Sequence, residues 1–382
     1  MTSIRILADD LTGALDTAAA FAGETPVFID RPPADGRFSA ARVAVVATPT
    51  RDAPSEDIPG HLRPTLEWLK SGGLAFKKVD SLLRGNTFAE LAWLARNGGF
   101  GAAVFAPAFP AQGRVTLGGR QWVIAPGDLS GPRQPTAPPF AEAFSIHGLS
   151  VGADAPSGGK RRDVWAPDVT SDAELDAIAA QAGVGEARSW LWCGSAGLAH
   201  ALARRFGLEP GAAAFAPPVA DDAPTVLVSA SHHPVFRRQW EFLCSARKPH
   251  ALARRASAAE LADALDSAKQ GAGSVWLDLS PEDEIDPARA ARLLDSQMTQ
   301  LAAGLPRPGR LVVIGGDTLL GLCRAAGAEA LLARAFPRGG WGHARLQGGA
   351  WDGVFCYSRS GAFGGVDDLS AMIRLLDADA GR

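Results

Sequence analysis

The sequence predicts an α/β protein of two domains, each built on a largely parallel sheet flanked by helices. Short apolar runs rich in Val, Ile and Ala alternate with longer amphipathic runs along the chain. Several apolar runs are followed by Gly, Asp or Ser, which is typical of the turn between a strand and a helix. The chain has 382 residues, which exceeds the usual limit of about 250–300 residues for one hydrophobic core.

In the first half, strand and helix patterns alternate, which favours a parallel sheet covered on both faces. Strands are predicted at 4–8, 26–30, 43–48, 74–79, 102–107, 163–166 and 189–193. Helices are predicted at 12–22, 60–71, 87–97, 172–182 and 196–206. Capping boxes that begin at Thr87 and Ser171 mark the starts of two of these helices.

A stretch rich in Ala, Pro and Gly separates the two halves. It runs from Gly207 to Pro224 and is interpreted as a linker, with the boundary near 220 and domains at 1–215 and 222–382. The second alternation predicts strands at 225–230, 274–279, 310–315 and 353–358, and helices at 234–246, 258–269, 287–303 and 318–327. Residues 124–160 are dense in Pro, Gly, Ala and Ser and are predicted to form a long loop or mobile segment.

Composition narrows the class of protein. A net charge of −3, with no basic run interleaved with aromatic residues, indicates that nucleic acid is not a partner. No apolar run reaches about 18 residues, and acids occur by Asp9, so neither a membrane span nor a signal peptide is expected. Four cysteines without CxxC spacing are expected to be reduced thiols. The sequence therefore predicts a cytoplasmic protein.

The most informative segment runs from Ile4 to Asp16. An apolar strand ends there in two adjacent carboxylates, followed by a Thr-Gly turn and an Ala-rich helix. Carboxylates at the carboxyl end of a strand lie where α/β sheets form ligand crevices. Because side chains alternate along a strand, Asp9 and Asp10 are expected to point different ways, one into the crevice and one to the helix cap or backbone. The alternative is that both acids only cap the helix.

Two further strand ends in the first half carry polar clusters. The run from Lys77 to Asn86 contains two Lys, an Asp, a Ser, an Arg and an Asn, and follows an apolar strand. This density of fixed donors suits a small anionic ligand rich in oxygen. A Pro/Gly-rich loop after the next strand adds Gln112, Arg114 and Thr116. A binding site for a small anion is therefore expected in the first half.

Turns in the second half suggest phosphate contacts. The run from Arg310 to Thr318 predicts a strand, a glycine turn and the start of a helix, an arrangement that favours negative charge. An ordinary helix cap after a tight turn is the alternative. No Gly-Lys-Ser/Thr follows, so this is not a Walker A sequence. For the pair His232 and His233 a metal site is disfavoured, because adjacent residues point apart and no third ligand follows at a suitable spacing. Phosphate contact or helix capping remain open.

These segments resemble the motifs of the four-carbon acid sugar kinase family, which includes 3-oxo-tetronate, threonate and erythronate kinases. The matching runs occur in the family's order and are 8–14, 77–86, 107–114, 194–198, 315–318 and 360–364. The resemblance implies a kinase that uses ATP and Mg²⁺ to phosphorylate a hydroxyl of a small acid sugar such as a tetronate or 3-oxo-tetronate. It further implies a substrate domain, a nucleotide domain and an active site in the cleft between them, and it leaves a homodimer open.

Residue roles follow from this resemblance and from the needs of phosphoryl transfer. Asp10 is the first candidate for the carboxylate that accepts the hydroxyl proton, and Asp80 is the second. The acid-sugar site is expected to contain Asp9, Thr12, Lys78, Ser81, Arg84, Asn86, Gln112 and Arg114. The nucleotide site is expected to contain Ser231, His233, Gly315, Gly316, Asp317, Thr318, Gly361 and Gly364, with Asp317 also the Mg²⁺ ligand.

The chain departs from the family pattern in three places. His233 stands where the family typically has a Ser, and Arg359 stands where a Lys is common. The segment 124–160 is shorter and different in composition. Two alternatives therefore stay open: a kinase on the same scaffold for a different small sugar acid or polyol, and a non-catalytic protein that binds or senses a sugar acid.

Overall fold

The computed structural model describes residues 2–155, 163–211, 223–254, 258–269, 273–281 and 285–378. The chain divides into two compact units, residues 1–211 and 212–382. The expected boundary near residue 220 and most of the expected linker lie outside the described residues. Within the described ranges, no helix is long and apolar enough to cross a membrane.

The first unit combines a sheet with flanking helices. Its strands are β1 (Ile4–Ala8), β2 (Thr25–Ile29), β3 (Val43–Ala47), β4 (Leu74–Lys78), β5 (Ala103–Ala106), β6 (Arg114–Thr116), β7 (Gln121–Val123), β8 (Gln134–Pro135), β9 (Val151–Gly152), β10 (Val164–Trp165) and β11 (Leu191–Gly194). Its α-helices are α1 (Leu11–Ala18), α2 (Ile58–Leu62), α3 (Leu66–Lys70), α4 (Thr87–Asn97), α5 (Phe140–Ser145), α6 (Asp172–Ala179) and α7 (Ala196–Phe206). Short 3₁₀ turns occur at Arg63–Thr65, Pro110–Gln112 and Gly185–Ser189.

The main sheet of the first unit is parallel and has the order β2-β3-β1-β4-β11-β5-β10-β9. The chain leaves β1 for β2 two places away, returns to β3 between them, and then crosses to β4 on the other side of β1. Such a reversal forms a crevice at the carboxyl ends of the two strands that flank it, here β1 and β4. Ala8 pairs with Lys78, so the residues that follow β1 and β4 start at the same level.

The segment 124–160 is not one long loop. A small antiparallel sheet of β6, β7 and β8 precedes and enters it, and α5 and β9 also lie within it. Phe140 and Phe144 are buried against Phe105, with ring centroids 5.0 and 5.1 Å apart. The loop prediction was therefore wrong for these described elements, because a few aromatic anchors order a segment whose composition is otherwise that of a loop. Residues 156–162 lie outside the described part.

The second unit also combines a sheet with helices. Its strands are β12 (Thr225–Ser229), β13 (Ala251–Ala253), β14 (Val275–Asp278), β15 (Arg310–Ile314), β16 (Ala330–Arg334), β17 (Gly342–Gln347) and β18 (Phe355–Arg359). Its helices are α8 (Pro234–Ala246), α9 (Ala258–Lys269), α10 (Pro287–Gly304), α11 (Gly316–Ala325) and α12 (Asp368–Ala378).

The sheet of the second unit has the order β13-β14-β12-β15-β18-β17-β16. Its first five strands are parallel, while β17 and β16 are antiparallel to their neighbours. The path from β12 to β13, back to β14 and across to β15 repeats the winding of β1 to β4. A second crevice therefore forms at the carboxyl ends of β12 and β15. The predicted α/β class, with largely parallel sheets flanked by helices, is confirmed; β13, β16 and β17 were not predicted.

Candidate functional site

In the first crevice, the carboxylate that follows β1 is paired with an arginine. Arg51 donates from Nε to Oδ2 of Asp9 at 2.9 Å and from Nη2 to Oδ1 at 3.0 Å. Burial alone would raise the pKa of Asp9, but the positive charges of Arg51, Lys77 and Lys78 outweigh it and hold that pKa below its ordinary value. Asp9 is therefore a buried, ionised anchor for Arg51.

Sequence reasoning missed Arg51. No motif surrounds it; it lies in the loop after the apolar strand β3, beyond Thr50, whereas Asp9 directly follows β1. Since β3 and β1 are adjacent and parallel, their carboxyl ends lie side by side. The signal that could have found Arg51 is its place in the loop that leaves this buried strand.

Asp10 holds the helix-capping position that the sequence left open for one of the two acids. As the N-cap residue of α1, it accepts from the backbone N–H of Gly13 at 2.9 Å on Oδ1. The Thr12 hydroxyl donates to Oδ2 at 2.5 Å, and Arg51 Nη2 donates to Oδ1 at 2.7 Å. Three donors thus occupy Asp10, and Thr12 is held by it.

Asp80 holds the side chain of Arg84. Arg84 donates from Nε to Oδ2 at 2.8 Å and from Nη2 to Oδ1 at 2.9 Å, and the backbone N–H groups of Leu82 and Arg84 also donate to Oδ2. Burial raises the pKa of Asp80, but hydrogen bonds from Arg84 and the charges of Arg51, Arg84 and Lys78 lower it well below its usual range. Asp80 is therefore a poor proton acceptor, while Arg84 stays half-exposed.

The two adjacent lysines of β4 have different environments, because successive side chains of a strand point to opposite faces. Lys77 lies in the core, where its Nζ is 2.6 Å from the buried Glu90 carboxylate. Lys78 is on the other face, only 4% exposed, with its Nζ 3.0 Å from the position that a Cβ on Gly13 would occupy.

Lys78 contacts no anion in the part of the chain that the structure describes. Among the described residues, its ammonium forms neither an ion pair nor a hydrogen bond, although the charges of Asp9, Asp16 and Asp80 act on it at longer range. A buried cation without a contacting anion is costly. The first crevice is therefore suited to a ligand that brings its own negative charge.

Of the remaining residues predicted for the sugar site, some are engaged in contacts between loops, and Arg114 lies near Asp80 and Arg84. Asn86 donates from Nδ2 to the backbone carbonyls of Thr50 at 2.8 Å and Ala53 at 2.7 Å, so it ties two loops together. The Ser81 carbonyl accepts from Gln121 Nε2 at 3.0 Å. Arg114 contacts the Gln112 carbonyl through Nη1, and its pKa is lowered by burial.

Of these, the structure brings Arg114 within electrostatic range of Asp80 and Arg84, and its buried Nε has no hydrogen-bond partner in the described chain. Asn86 and the Gln112 carbonyl are occupied by loop contacts instead. Gln121, which sequence reasoning missed, links β7 to the Ser81 turn and also accepts from the Thr116 hydroxyl at 2.8 Å.

Asp16 and His200 were also missed as members of the first crevice. Asp16 follows Thr12 by four residues on α1, so the two lie on one helix face. Burial raises the pKa of Asp16 against the opposing charges of Lys78 and His200, while burial lowers the pKa of His200 on α7. The four-residue spacing within the first motif is the signal that could have identified Asp16.

The second crevice is built mainly from backbone. Ser229 at the end of β12 donates its hydroxyl to the Ile314 carbonyl at 2.9 Å, and the backbone N–H of Ala230 donates to Thr318 Oγ1 at 3.3 Å. A Cβ on Gly361 would overlap Ser231 Oγ. The structure therefore brings Ser231, Thr318 and Gly361 together at the ends of β12, β15 and β18.

Helix α11 directs its amino terminus to this crevice. Gly315 is its N-cap residue, has φ of 113°, and makes no side-chain cap bond. The first N–H groups of a helix have no partner within the helix and therefore attract anions. Phosphate groups bind at many helix starts for this reason. Gly316 and the exposed Asp317 begin this helix. One carboxylate beside a ligand that carries phosphates would fit the coordination that Mg²⁺ prefers; no cluster of three metal ligands occurs in the described ranges.

Three residues near the second crevice serve the fold of the second unit. His233 is the N-cap of α8, and its Nδ1 accepts from the Val235 N–H at 3.2 Å. Arg359 is buried, contacts Asp368 and Gln239, and lies over the Trp341 ring at 4.5 Å. A Cβ on Gly364 would overlap the Arg359 guanidinium. The structure thus gives His233 the capping role, and it places Arg359 and Gly364 in an internal network.

Sequence reasoning missed an arginine that fixes the Ser231 turn. Arg237 on α8 pairs with Asp278 at 2.6 and 2.9 Å and donates to the Ser231 carbonyl at 2.6 Å. Burial raises the pKa of Asp278, but hydrogen bonds with Arg237 and Ser280 outweigh it and lower the value. As with Asp9, the signal is a carboxylate at the end of a buried strand.

Comparison with known proteins supports the resemblance in the first unit. Residues 4–143 match the model of the sugar-binding N-terminal domain family. A D-threonate kinase from Cupriavidus necator is 41% identical over 125 residues, which cover 31% of this chain and 29% of that protein. A D-threonate kinase from Bordetella bronchiseptica is 39% identical over 138 residues, 33% of this chain and 32% of that protein. These matches confirm the resemblance to the four-carbon acid sugar kinase family over the amino-terminal third.

The chain thus spans about a third of the length of the curated relatives it matches. Two solved structures cover far more of it. A Salmonella typhimurium LT2 protein, provisionally named a tRNA synthase, has a TM-score of 0.72 at 19% identity and covers 96% of this chain and 97% of its own. A Haemophilus influenzae protein of the DUF1537 family has a TM-score of 0.68 at 18% identity and covers 99% of both chains. At these identities, the two structures show that the fold is shared.

Proposed function

We propose that this chain is an ATP-dependent kinase that phosphorylates a hydroxyl of a small four-carbon acid sugar, such as a tetronate or 3-oxo-tetronate. The observation that carries the proposal is Lys78, a residue only 4% exposed whose ammonium has no contacting anion among the described residues. The carboxylate of a sugar acid would supply that anion. The match of residues 4–143 to a sugar-binding domain, and the D-threonate kinases among the relatives, support this choice of ligand.

In this proposal the first unit binds the acid sugar. Lys78 and Arg84 hold its carboxylate, because hydrogen bonds between ionised groups are stronger than neutral ones. Asp80 fixes the Arg84 fork, and Asp9 with Asp10 fixes Arg51 beside it. Arg114 adds a fourth cation near Arg84. Ordered cations of this kind bind an anion without having to be reorganised first.

The second unit binds the nucleotide. The N–H groups at the start of α11 face the phosphates, and Gly315 and Gly361 let the backbone come close to them. Asp317 would hold Mg²⁺, which when bound neutralises charge on the phosphates. The Ser231 hydroxyl, fixed by the Arg237 contact to its carbonyl, adds a donor.

A second candidate function is a sugar-acid-binding protein without turnover. The observation that favours it is the position of Arg359. The family commonly has a lysine here, yet the Arg359 guanidinium is used inside the second unit by Asp368, Gln239 and Trp341. The charge at a position where this chain departs from the family pattern is therefore engaged in contacts within the second unit.

An acid-sugar panel tests both candidates. The purified chain is incubated with ATP, Mg²⁺ and each stereoisomer of threonate and erythronate, and then with the 3-oxo-tetronates. ADP release and a phosphorylated product, detected by mass spectrometry, are expected with at least one acid. Threitol and erythritol are the matched controls, since they keep the hydroxyls but lack the carboxylate.

The outcomes separate the candidates. Turnover of the polyols as readily as of the acids would contradict the role of Lys78. Calorimetric binding of an acid without ADP release would favour the binding protein. Neither binding nor turnover with any acid would overturn the proposed function.

A further inference from the structure

The carboxylates of the first crevice differ in how many hydrogen bonds they already accept. Asp9 accepts two from Arg51, Asp10 accepts one each from Thr12, Gly13 and Arg51, and Asp80 accepts four from Arg84 and the turn backbone. No described residue donates a hydrogen bond to Asp16. Asp16 therefore has its full acceptor capacity available to a ligand.

Asp16 is also reachable from the crevice. Its side chain is partly exposed on the face of α1 that carries Thr12 and Gly13, and the Lys78 Nζ lies against Gly13 on that face. An acid sugar that places its carboxylate on Lys78 would bring its hydroxyls along this face. The Asp16 carboxylate, which accepts no hydrogen bond from a described residue, can accept one from a sugar hydroxyl on this face.

We propose that Asp16 is the catalytic residue that orients the acceptor hydroxyl and accepts its proton, a role the sequence assigned first to Asp10 and then to Asp80. The inference rests on the proposed kinase function. In the step, the hydroxyl oxygen forms a bond to the γ-phosphorus as the bond between that phosphorus and the bridging oxygen of ATP breaks. ADP leaves with the electron pair of that bond. The hydroxyl proton passes to the Asp16 carboxylate and afterwards to water.

The electrostatic surroundings agree with this role. A general base is most effective when its pKa approaches the working pH, and burial raises the pKa of Asp16 while the pKa values of Asp9 and Asp80 are lowered. The groups that face Asp16 are Lys78 from β4, His200 from α7 and Asp10 from its own helix. Burial raises the pKa of Asp16, the charges of Lys78 and His200 oppose that rise, and burial in turn lowers the pKa of His200.

The test compares Asp16→Asn with Asp176→Asn. Asp176 lies in the same unit and pairs with Arg204 on the surface, far from the polar cluster in sequence, so its variant is expected to keep wild-type kcat. Asp16→Asn is expected to lower kcat by about 10²–10⁴-fold, with the Kd of the acid sugar changed by less than about tenfold. Its Tm should equal or exceed that of the wild type, because Asn removes a charge that burial disfavours.

Two further measurements separate catalysis from structure. When kcat is measured as a function of pH, the wild-type enzyme should lose activity at acidic pH. The residual activity of Asp16→Asn should lack this loss, since no titrating base remains. Asp16→Glu keeps a carboxylate and should retain more kcat than Asp16→Asn.

Either of two results would overturn the inference alone: wild-type kcat in Asp16→Asn, or a loss of kcat that follows a fall in Tm and is equal in Asp16→Glu. A wild-type protein that phosphorylates no four-carbon acid would instead overturn the kinase function, and this inference with it.

Discussion

The two units have the same winding at their crevices but line them with different chemistry. In each unit the first strand is central, the second lies two places away, the third fills the gap and the fourth crosses over. At the first crevice, between β1 and β4, charged side chains hold one another in place: Asp9 with Arg51, and Asp80 with Arg84. At the second, between β12 and β15, glycines, hydroxyls and helix N–H groups meet instead.

This difference teaches that one topology can support two strategies of anion recognition. Point charges discriminate strongly between ligands but must be balanced by each other when no ligand is bound. Backbone groups need no balancing charge, but they depend on residues that leave room for close approach. Substitutions should therefore affect charge balance in the first unit and shape in the second.

The largest effect is expected from Arg51→Ala in the first unit. It leaves the buried Asp9 carboxylate without its bidentate partner and beside Asp10, which should lower the free energy of unfolding by about 3–5 kcal/mol. Urea denaturation measures this. Arg204→Ala, which removes an exposed pair with Asp176, is the matched control and should cost about 0–1 kcal/mol. Equal losses in the two variants would contradict the comparison.

The same variant should change the pH dependence of stability. The folded-state pKa values of Asp9 and Asp80 lie below their unfolded values, so their contribution is fully present above about pH 4 and is lost as the pH falls through the folded values. Arg51→Ala raises the folded value of Asp9 and so should shift acid unfolding to higher pH. An unchanged acid transition would show that Arg51 does not set this pKa.

Lys78→Met should separate binding from stability. The variant removes the cation proposed to hold the substrate carboxylate, at a cost of about 1.5–3 kcal/mol, or roughly 10–150-fold in KM for the acid sugar. Tm should hold or rise, because Lys78 contacts no anion among the described residues. Steady-state kinetics with each substrate varied in turn, plus melting curves, provide the test. Lys70→Met, at an exposed pair with Glu67, is the control. A lower Tm with unchanged KM would make Lys78 structural.

Gly361→Ala tests shape in the second unit. The added Cβ overlaps Ser231 Oγ, and displacing that turn should cost about 1–3 kcal/mol, expressed as a higher KM for ATP with the affinity for the acid sugar unchanged. Gly339→Ala is the matched control, since a Cβ there meets nothing within 4 Å. A larger effect on acid-sugar binding than on ATP would argue against a nucleotide role for this turn.

The smallest effect is expected from Arg359→Lys, which installs the residue common in the family. Lysine cannot serve Asp368 and Gln239 together from a planar fork, so the free energy of unfolding should fall by about 1–2 kcal/mol while the KM for ATP stays the same. Arg247→Lys, at a half-exposed pair with Asp377, controls for loss of a guanidinium. A lower KM for ATP would instead show that this position reaches the nucleotide.

Sequence reasoning identified residues that lie at both crevices, because polar or glycine residues follow apolar strands there; the roles assigned to those residues stay predictions. It could not decide which side chain of a pair faces the crevice. Lys77 and Lys78 differ only in strand parity, yet one is paired in the core with Glu90 and the other contacts no anion in the described chain. Burial and partner choice come from tertiary packing, which the local pattern does not contain.

The missed elements and residues share a cause. Arg51 joins the site through its contact with Asp9, which is distant in the chain. Asp16 joins it through the charges of Lys78 and His200, which are also distant in the chain. Strands β16 and β17 contain Ala, Gly, His and Arg, so their alternation is weak, and they are stabilised by pairing with β18 and each other. Long-range pairing of this kind leaves little local signal.

Gly13 has a consequence for anyone who wishes to make this protein more heat-resistant. Replacing helical glycines by alanine is a standard route to stabilisation, worth up to about 1 kcal/mol per site. In the first turn of α1, however, a methyl group would overlap Asp10 Oδ1 and press on the Lys78 ammonium. Alanine at this position should therefore displace the Asp10 cap and lower the free energy of unfolding instead of raising it. Gly13 is thus a helical glycine at which the usual stabilising replacement should fail.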